Sequence, residues 1–274
     1  MIEPELWGQN NDLTTFVNVD YMRKYKDWFD WKEGSSIFEF GMGDGRNVRE
    51  ALFPFMPENI KEYVGSDVSP EMVDHAKKTL SSPKASFIVL DICSEAIPED
   101  LVNRFDVVFG FFVMHWVQNT RQALQNMYKM LKPKGQLFLT YVDYVSTDEF
   151  YCSSSKHPKW RVYNHERIIS PYFNHPCAQD VYKKELSLAG FQIVTYERTK
   201  KVYEFPNKES FIGFCLSVNP ILREVSTEDF EEYKQYYLKS MENNKLNFTK
   251  TCPKTGQVTY NSSYDLNMVL ASKH

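Results

Sequence analysis

The sequence predicts an α/β fold, a doubly wound and mostly parallel sheet with helices on both faces. Three observations carry this expectation. An apolar run at residues 37–40 reaches a turn with glycine at positions 41, 43 and 45, and a segment able to open a helix, 47–52, follows. The next two strand-like stretches each lead to an acid, Asp67 and Asp91. Strand-like and helix-like stretches then alternate along the chain, the pattern of parallel strands joined by helical crossovers.

The elements follow in order. Residues 5–31 carry Tyr21, Tyr25, Trp28 and Phe29 at helical spacing, so one or two helices are expected before the sheet. The run 37–40 is too short for a helix and reads as a buried strand. Glycine after it reaches positive φ without steric cost and lets another molecule approach the backbone. A dehydrogenase fingerprint would need glycine at 46, where Arg46 stands, and no G-K-[ST] follows to make a phosphate loop. The second strand, 61–67, ends at Asp67. Ser69 can cap a helix over 70–80 with Pro70 at its first position, which leaves Asp67 free for the two hydroxyls of a ribose. The third strand, 85–92, ends in Asp91, which reads either as a ligand acid or as a turn initiator.

Residues 105–112 form a nearly continuous apolar strand, as at the centre of a parallel sheet. A helix over 122–131, a turn at 133–135 and a fifth strand over 136–142 follow. Residues 143–180 fit no simple period and read as a functional or capping segment. A helix over 180–189 closes at Gly190, and a strand from 191 continues past Val202. Residues 207–245 look helical, and 264–271 form the last strand.

Composition narrows the function. The chain has 274 residues, 42% of them hydrophobic, enough for one large domain with insertions. A net charge of −4 gives no sign of a nucleic-acid partner. Five cysteines without a C-x-x-C argue against a disulfide framework and a zinc site. His157, His165 and His175 match no compact ligand spacing, so no metal is expected. No apolar run approaches a membrane span, and the start has neither a basic nor an apolar leader region, so the expected compartment is cytoplasmic. Oligomeric state is not legible.

The run Glu39-x-Gly41-x-Gly43-x-Gly45, the two strand-end acids and the helix–Leu131-Lys132-Pro133-Lys134-Gly135–strand unit resemble class I S-adenosylmethionine (SAM)-dependent methyltransferases. The resemblance implies a seven-stranded Rossmann-like sheet whose last hairpin makes one strand antiparallel, with helical N-terminal and cap insertions. It divides one domain, 1–274, into a SAM-binding core (about 32–142, 181–205 and 260–274) and an acceptor cap (1–31, 143–180 and 206–259). It places Glu39 near the amino-acid end of SAM and the backbone of Gly41 and Gly43 against its methionine and ribose. Asp67 and Val68 would then meet the ribose side, Asp91 the adenine amino group, and Ile92 the adenine ring.

Glu5-Leu6-Trp7, Met114-His115-Trp116 and Ile169-Ser170-Pro171-Tyr172 narrow the resemblance to the juvenile hormone acid O-methyltransferase family of insects. That family implies methyl transfer to the carboxylate of a lipophilic sesquiterpenoid or fatty acid, such as farnesoic or juvenile hormone acid. It also implies that a glutamine near the N-terminus and the tryptophan after strand four hold the carboxylate. Trp116 matches the tryptophan. Ungapped alignment from Leu6 puts Thr14 at the glutamine position, where a hydroxyl still donates one hydrogen bond with shorter reach.

The chemistry has its own logic. The SAM methyl is already electrophilic, and a carboxylate is ionised at about pH 7, so no general base is required. The protein must align the oxygen and exclude water. For a phenol, alcohol or amine acceptor, His115 is the base to consider. A catalytically silent relative that binds SAM or a lipid is the remaining alternative.

Overall fold

The computed structural model describes residues 4–274. Residues 1–3 of the expected N-terminal segment lie outside the described residues. Five parallel strands form the first part of the sheet: β1 (Ser36–Phe40), β2 (Glu62–Asp67), β3 (Ala85–Val89), β4 (Phe105–Phe111) and β5 (Leu131–Val142). They are joined by β6 (Phe191–Phe205), β7 (Asn247–Thr251) and β8 (Val258–Lys273). The order is β3-β2-β1-β4-β5-β8-β6, with β7 paired to β8. β8 runs antiparallel to β5, β6 and β7. The strand order reverses between β1 and β4, and in such sheets ligands bind beyond the strand C-termini at this crevice.

Among the described residues the expected seven strands are eight. β7 is the addition, and it lies where the sequence suggested only cap. Its five residues are mostly exposed and lack an apolar alternation, so only pairing with the first half of β8 makes them a strand. The helix expected over 47–52 is a single π turn, Val48–Leu52, followed by a 3₁₀ turn, Phe53–Phe55. Pro54 lacks an N–H and prevents a regular continuation. The turn expected at 133–135 lies inside β5, where Lys134 takes φ 65° and the pairing with β4 shifts register between Phe105 and Val107.

Four helices pack on the sheet: α2 (Asp12–Tyr25), α3 (Pro70–Thr79), α4 (Thr120–Met130) and α6 (Ala178–Leu188), whereas α1 (Pro4–Asn10) lies against α3 and the later helix Lys208–Ser217. One core layer joins Tyr21, Met22 and Tyr25 of α2 to Ile37, Phe109 and Phe138 of the sheet. The opposite layer joins Leu124 and Met127 of α4 and Leu186 of α6 to Phe38, Val108 and Leu139. Ser69 caps α3 as expected, its Oγ accepting the Met72 N–H at 3.3 Å. Gly190 follows α6 at φ 100°, a backbone state that favours glycine.

A third core belongs to α5 (Ser146–Ser154), α7 (Lys208–Ser217) and α8 (Phe230–Glu242). There Phe150, Trp160, Phe211, Tyr233 and Tyr237 pack together. Asp148 ties this layer down: it accepts the Val145 N–H at 2.8 Å, the Ser170 N–H at 2.7 Å and the Ser170 hydroxyl at 2.8 Å. His165 is fully buried with Nε2 2.9 Å from the Tyr233 hydroxyl, and burial pushes its pKa down to about 4. It is a core residue of the cap.

Candidate active site

One cavity of about 510 Å³ opens at the C-terminal ends of β1 to β5, within the range of small-molecule sites. Glu39, Gly41, Gly43, Asp67, Val68, Asp91, Ile92, His115, Trp116 and Thr14 all line it. The sequence-predicted residues are therefore brought together, from five separate segments of the chain.

The glycine turn sits at one end. Gly41 and Gly43 have φ of 65° and 61°. A Cβ at Gly41 would lie 2.4 Å from Val113 Cγ2, so both the backbone state and the close approach require glycine. Asp67 is 4% exposed and holds this turn: Oδ2 accepts the Gly43 N–H at 3.0 Å and Oδ1 accepts the Ser69 N–H at 2.9 Å. Burial pushes its pKa up. Each oxygen keeps a further lone pair, which suits two vicinal hydroxyls. Asp91 is exposed beyond β3, and its Oδ1 accepts the Cys93 N–H at 2.8 Å. It initiates a turn and still has an open oxygen, so the two readings of this acid coexist. Ile92 beside it is buried, and Val68 is an exposed wall of the cavity.

Glu39 is 1% exposed and held on both oxygens. Tyr63 donates its hydroxyl to Oε2 at 2.6 Å, and Asn47 donates Nδ2 to Oε1 at 3.1 Å. Burial, with Asp67 adding a smaller effect, raises its pKa to about 7 against those two bonds. Tyr63, Asn47 and Asn18, which continues the chain of bonds, were not singled out from sequence. A polar residue on the buried, aromatic-bearing face of α2 was the one signal for Asn18.

The other end of the cavity is apolar, with Leu13, Phe112, Val142, Val145, Ile168 and Phe214 among its walls. His115 and Trp116 lie on a 3₁₀ turn, Met114–Trp116, that directly follows β4. Their ring centroids are 5.3 Å apart. His115 is 5% exposed, its Nδ1 has no hydrogen-bond partner among the described residues, and burial pushes its pKa down to about 3. It is therefore a neutral imidazole that no carboxylate supports as a cation. Trp116 is half-buried at the cavity wall. Thr14 is also at the wall, but its hydroxyl donates to the Asn11 carbonyl at 3.0 Å. Its one proton is committed inside the first turn of α2, so it presents a lone pair and a methyl group, against the donor role expected for it.

Arg46, in the place of the missing third glycine, links the N-terminal helices to this site. It donates to the Gly8 carbonyl at 2.9 Å and to Asn11 Oδ1 at 3.1 Å, and pairs with Asp12 at 2.7 Å.

The set of groups fits SAM: three acceptor acids from successive strand ends, a positive-φ glycine turn and an adjoining apolar chamber. Comparisons with known proteins agree. Residues 38–137 match the family model described as "Methyltransferase domain". The juvenile hormone acid O-methyltransferase of Bombyx mori is 26% identical over 238 residues, covering 85% of each chain. That of Drosophila melanogaster is 28% identical over 202 residues, covering 72% of this chain and 68% of its own. Among solved structures, the YcgJ protein of Bacillus subtilis shares the fold with a TM-score of 0.55 at 16% identity, covering 93% of this chain and 98% of that one. A phosphoethanolamine N-methyltransferase of Haemonchus contortus, solved with S-adenosylhomocysteine, matches with a TM-score of 0.50 at 16% identity, over 93% of this chain and 52% of that one. Sequence motifs, fold and comparisons together support a class I SAM-dependent methyltransferase, with a methyltransferase domain matched over residues 38–137 and a chain that resembles the juvenile hormone acid O-methyltransferases of insects.

Proposed function

We propose that the chain esterifies the carboxylate of a lipophilic acid, of the sesquiterpenoid or fatty class, with farnesoic and juvenile hormone acids as examples. One observation carries the reading. The apolar chamber presents a donor-only indole, and its one imidazole, His115, is buried with no carboxylate beside it among the described residues, which makes it a weak base. An already ionised acceptor is the one that such a chamber suits. The names of the insect relatives support the same class.

SAM supplies a methyl group made electrophilic by its sulfonium. Asp67 holds the ribose hydroxyls, Asp91 the adenine amino group, and Glu39 faces the amino-acid end. Gly41 and Gly43 let the cofactor lie against the backbone, with Val68 and Ile92 as apolar walls. Trp116 donates its indole N–H to one carboxylate oxygen of the acceptor. Leu13, Phe112, Val142 and Phe214 surround the acceptor chain and keep water away, which strengthens that hydrogen bond. The cap of residues 143–180 and 206–259, with the N-terminal helices, closes the chamber.

The decisive experiment is incubation with labelled SAM and a panel of fatty, terpenoid and small dicarboxylic acids, read by ester mass. Methyl esters of the lipophilic acids are expected. Methylation of an amine or hydroxyl with every acid untouched would overturn the substrate class. The pH dependence gives a second check. With His115 neutral down to about pH 3, kcat at saturating SAM should be flat between about pH 6 and pH 8. A kcat rising tenfold per pH unit in that window would show an essential base.

A silent SAM- or lipid-binding relative is the second reading, and the committed Thr14 proton is the observation that favours it. SAM binding without turnover of any panel acid would establish it.

Closure makes a further prediction. Amides of α1, α2 and α5 should exchange more slowly once SAM and an acceptor acid are bound, because Arg46 ties the two N-terminal helices to the glycine turn and Ser146 and Thr147 of α5 line the cavity. Exchange that is equal with and without ligands would remove the closing role.

A further inference from the structure

Four buried side chains from different elements form a single line of hydrogen bonds that ends on Glu39. The Thr140 hydroxyl on β5 donates to Asn18 Oδ1 at 3.1 Å. Asn18 on α2 donates Nδ2 to Asn47 Oδ1 at 2.8 Å. Asn47, just after the glycine turn, donates Nδ2 to Glu39 Oε1 at 3.1 Å. All four are at most 8% exposed. The direction is set by chemistry. A carboxylate only accepts, so Asn47 must turn its amide nitrogen toward Glu39 and its oxygen toward Asn18. Asn18 must then offer its nitrogen, which leaves its oxygen for a group able to donate, the Thr140 hydroxyl. Every donor in the line points toward the carboxylate, and hydrogen bonds aligned in this way reinforce one another in a buried site.

We propose that Asn18 and Thr140 are positioning residues for the cofactor: through Asn47 they orient Glu39 and favour its carboxylate form, so that α2 and the central sheet set the affinity for SAM. Asn18 lines the cavity with Glu39 and Asn47, whereas Thr140 is not among its lining residues. An effect of Thr140 on the cofactor must therefore pass along the line. The titratable groups facing Glu39 are Tyr63 and Asp67, both on β2. α2, the segment after the glycine turn and β5 present Asn18, Asn47 and Thr140, all uncharged.

The sign of the pH effect follows. Glu39 ionises near pH 7, above its ordinary 4.5, and SAM carries a sulfonium and an ammonium that favour the ionised form. SAM affinity should therefore rise with pH up to about 7 and level off above it. Removing donors from the line destabilises the carboxylate and moves that midpoint upward.

The test is calorimetric titration of SAM into the whole protein between about pH 6 and pH 9, with no acceptor present. Asn18→Leu removes both amide groups at similar volume. It should move the midpoint up by about one pH unit and weaken SAM binding at pH 7 about fivefold, with affinity recovering toward the parent value at high pH. Thr140→Val, which keeps the shape and removes the outermost donor, should move it in the same direction by less. A role in folding alone would weaken binding equally at every pH. That result, or a parent midpoint in Thr140→Val, overturns the proposal, and Thr140→Val decides alone if Asn18→Leu does not fold. The proposal rests on Glu39 facing SAM. Parent-level SAM affinity in Glu39→Gln would refute that placement, whereas weakened binding in Glu39→Gln with parent profiles in the other two variants would refute only the line of bonds.

Discussion

Asp67→Ala should weaken SAM binding on the order of 10²- to 10⁴-fold. The expectation comes from two charge-assisted hydrogen bonds to the ribose, each worth roughly 1.5–3 kcal/mol. The structure adds a second cause. The Asp67 carboxylate also receives the N–H groups of Gly43 and Ser69, so its loss frees the glycine turn from the start of α3. Both effects reduce cofactor affinity, while the fold itself is held by the core layers on the two faces of the sheet. Calorimetry on a variant with a native-like melting transition is the measurement. Unchanged SAM affinity would show that Asp67 neither holds the ribose nor sets the glycine turn for the cofactor.

Trp116→Phe should lower kcat/KM for the lipophilic acid about 10- to 100-fold, the loss of one hydrogen bond to a charged group at roughly 1.5–3 kcal/mol. Phenylalanine keeps most of the apolar wall and removes the only polar atom of the ring. SAM affinity should stay at the parent value, because the cofactor contacts fall to Glu39, Asp67 and Asp91 and the indole N–H to the acceptor. Parent kinetics in Trp116→Phe would mean that another donor holds the carboxylate. His115, 5.3 Å away between ring centroids, would then be the group to replace. Thr14→Gln bears on the same site. Its longer side chain carries two N–H donors where the threonine proton is spent on Asn11, so activity toward sesquiterpenoid acids should rise.

Much of the cofactor half was legible because its determinants are local. Gly41 must be glycine for its own φ, Ser69 and Pro70 start α3 by their own chemistry, and the strand-end acids follow short apolar runs. The cap was less legible. Residues 143–180 hold α5 and two 3₁₀ turns in place of one periodic helix, and Asp148 organises them through Ser170, 22 residues away. β7 was missed because its pairing surface comes from β8.

The sequence by itself determined the parallel sheet, the glycine turn and the acids at the ends of β2 and β3. Apolar runs, backbone preferences and caps act over a few residues, and their signals are written in neighbouring positions. Tertiary structure alone decided the protonation states and the partners. His115 is an ordinary histidine in sequence, and only burial without a partner for Nδ1 makes it neutral to about pH 3. Glu39 meets Asn47 8 residues on, Asn18 stands 29 residues from Asn47, and Thr140 lies 122 residues beyond Asn18. Desolvation depends on everything that packs around a group, and a hydrogen bond between distant segments exists only once the chain has brought them together.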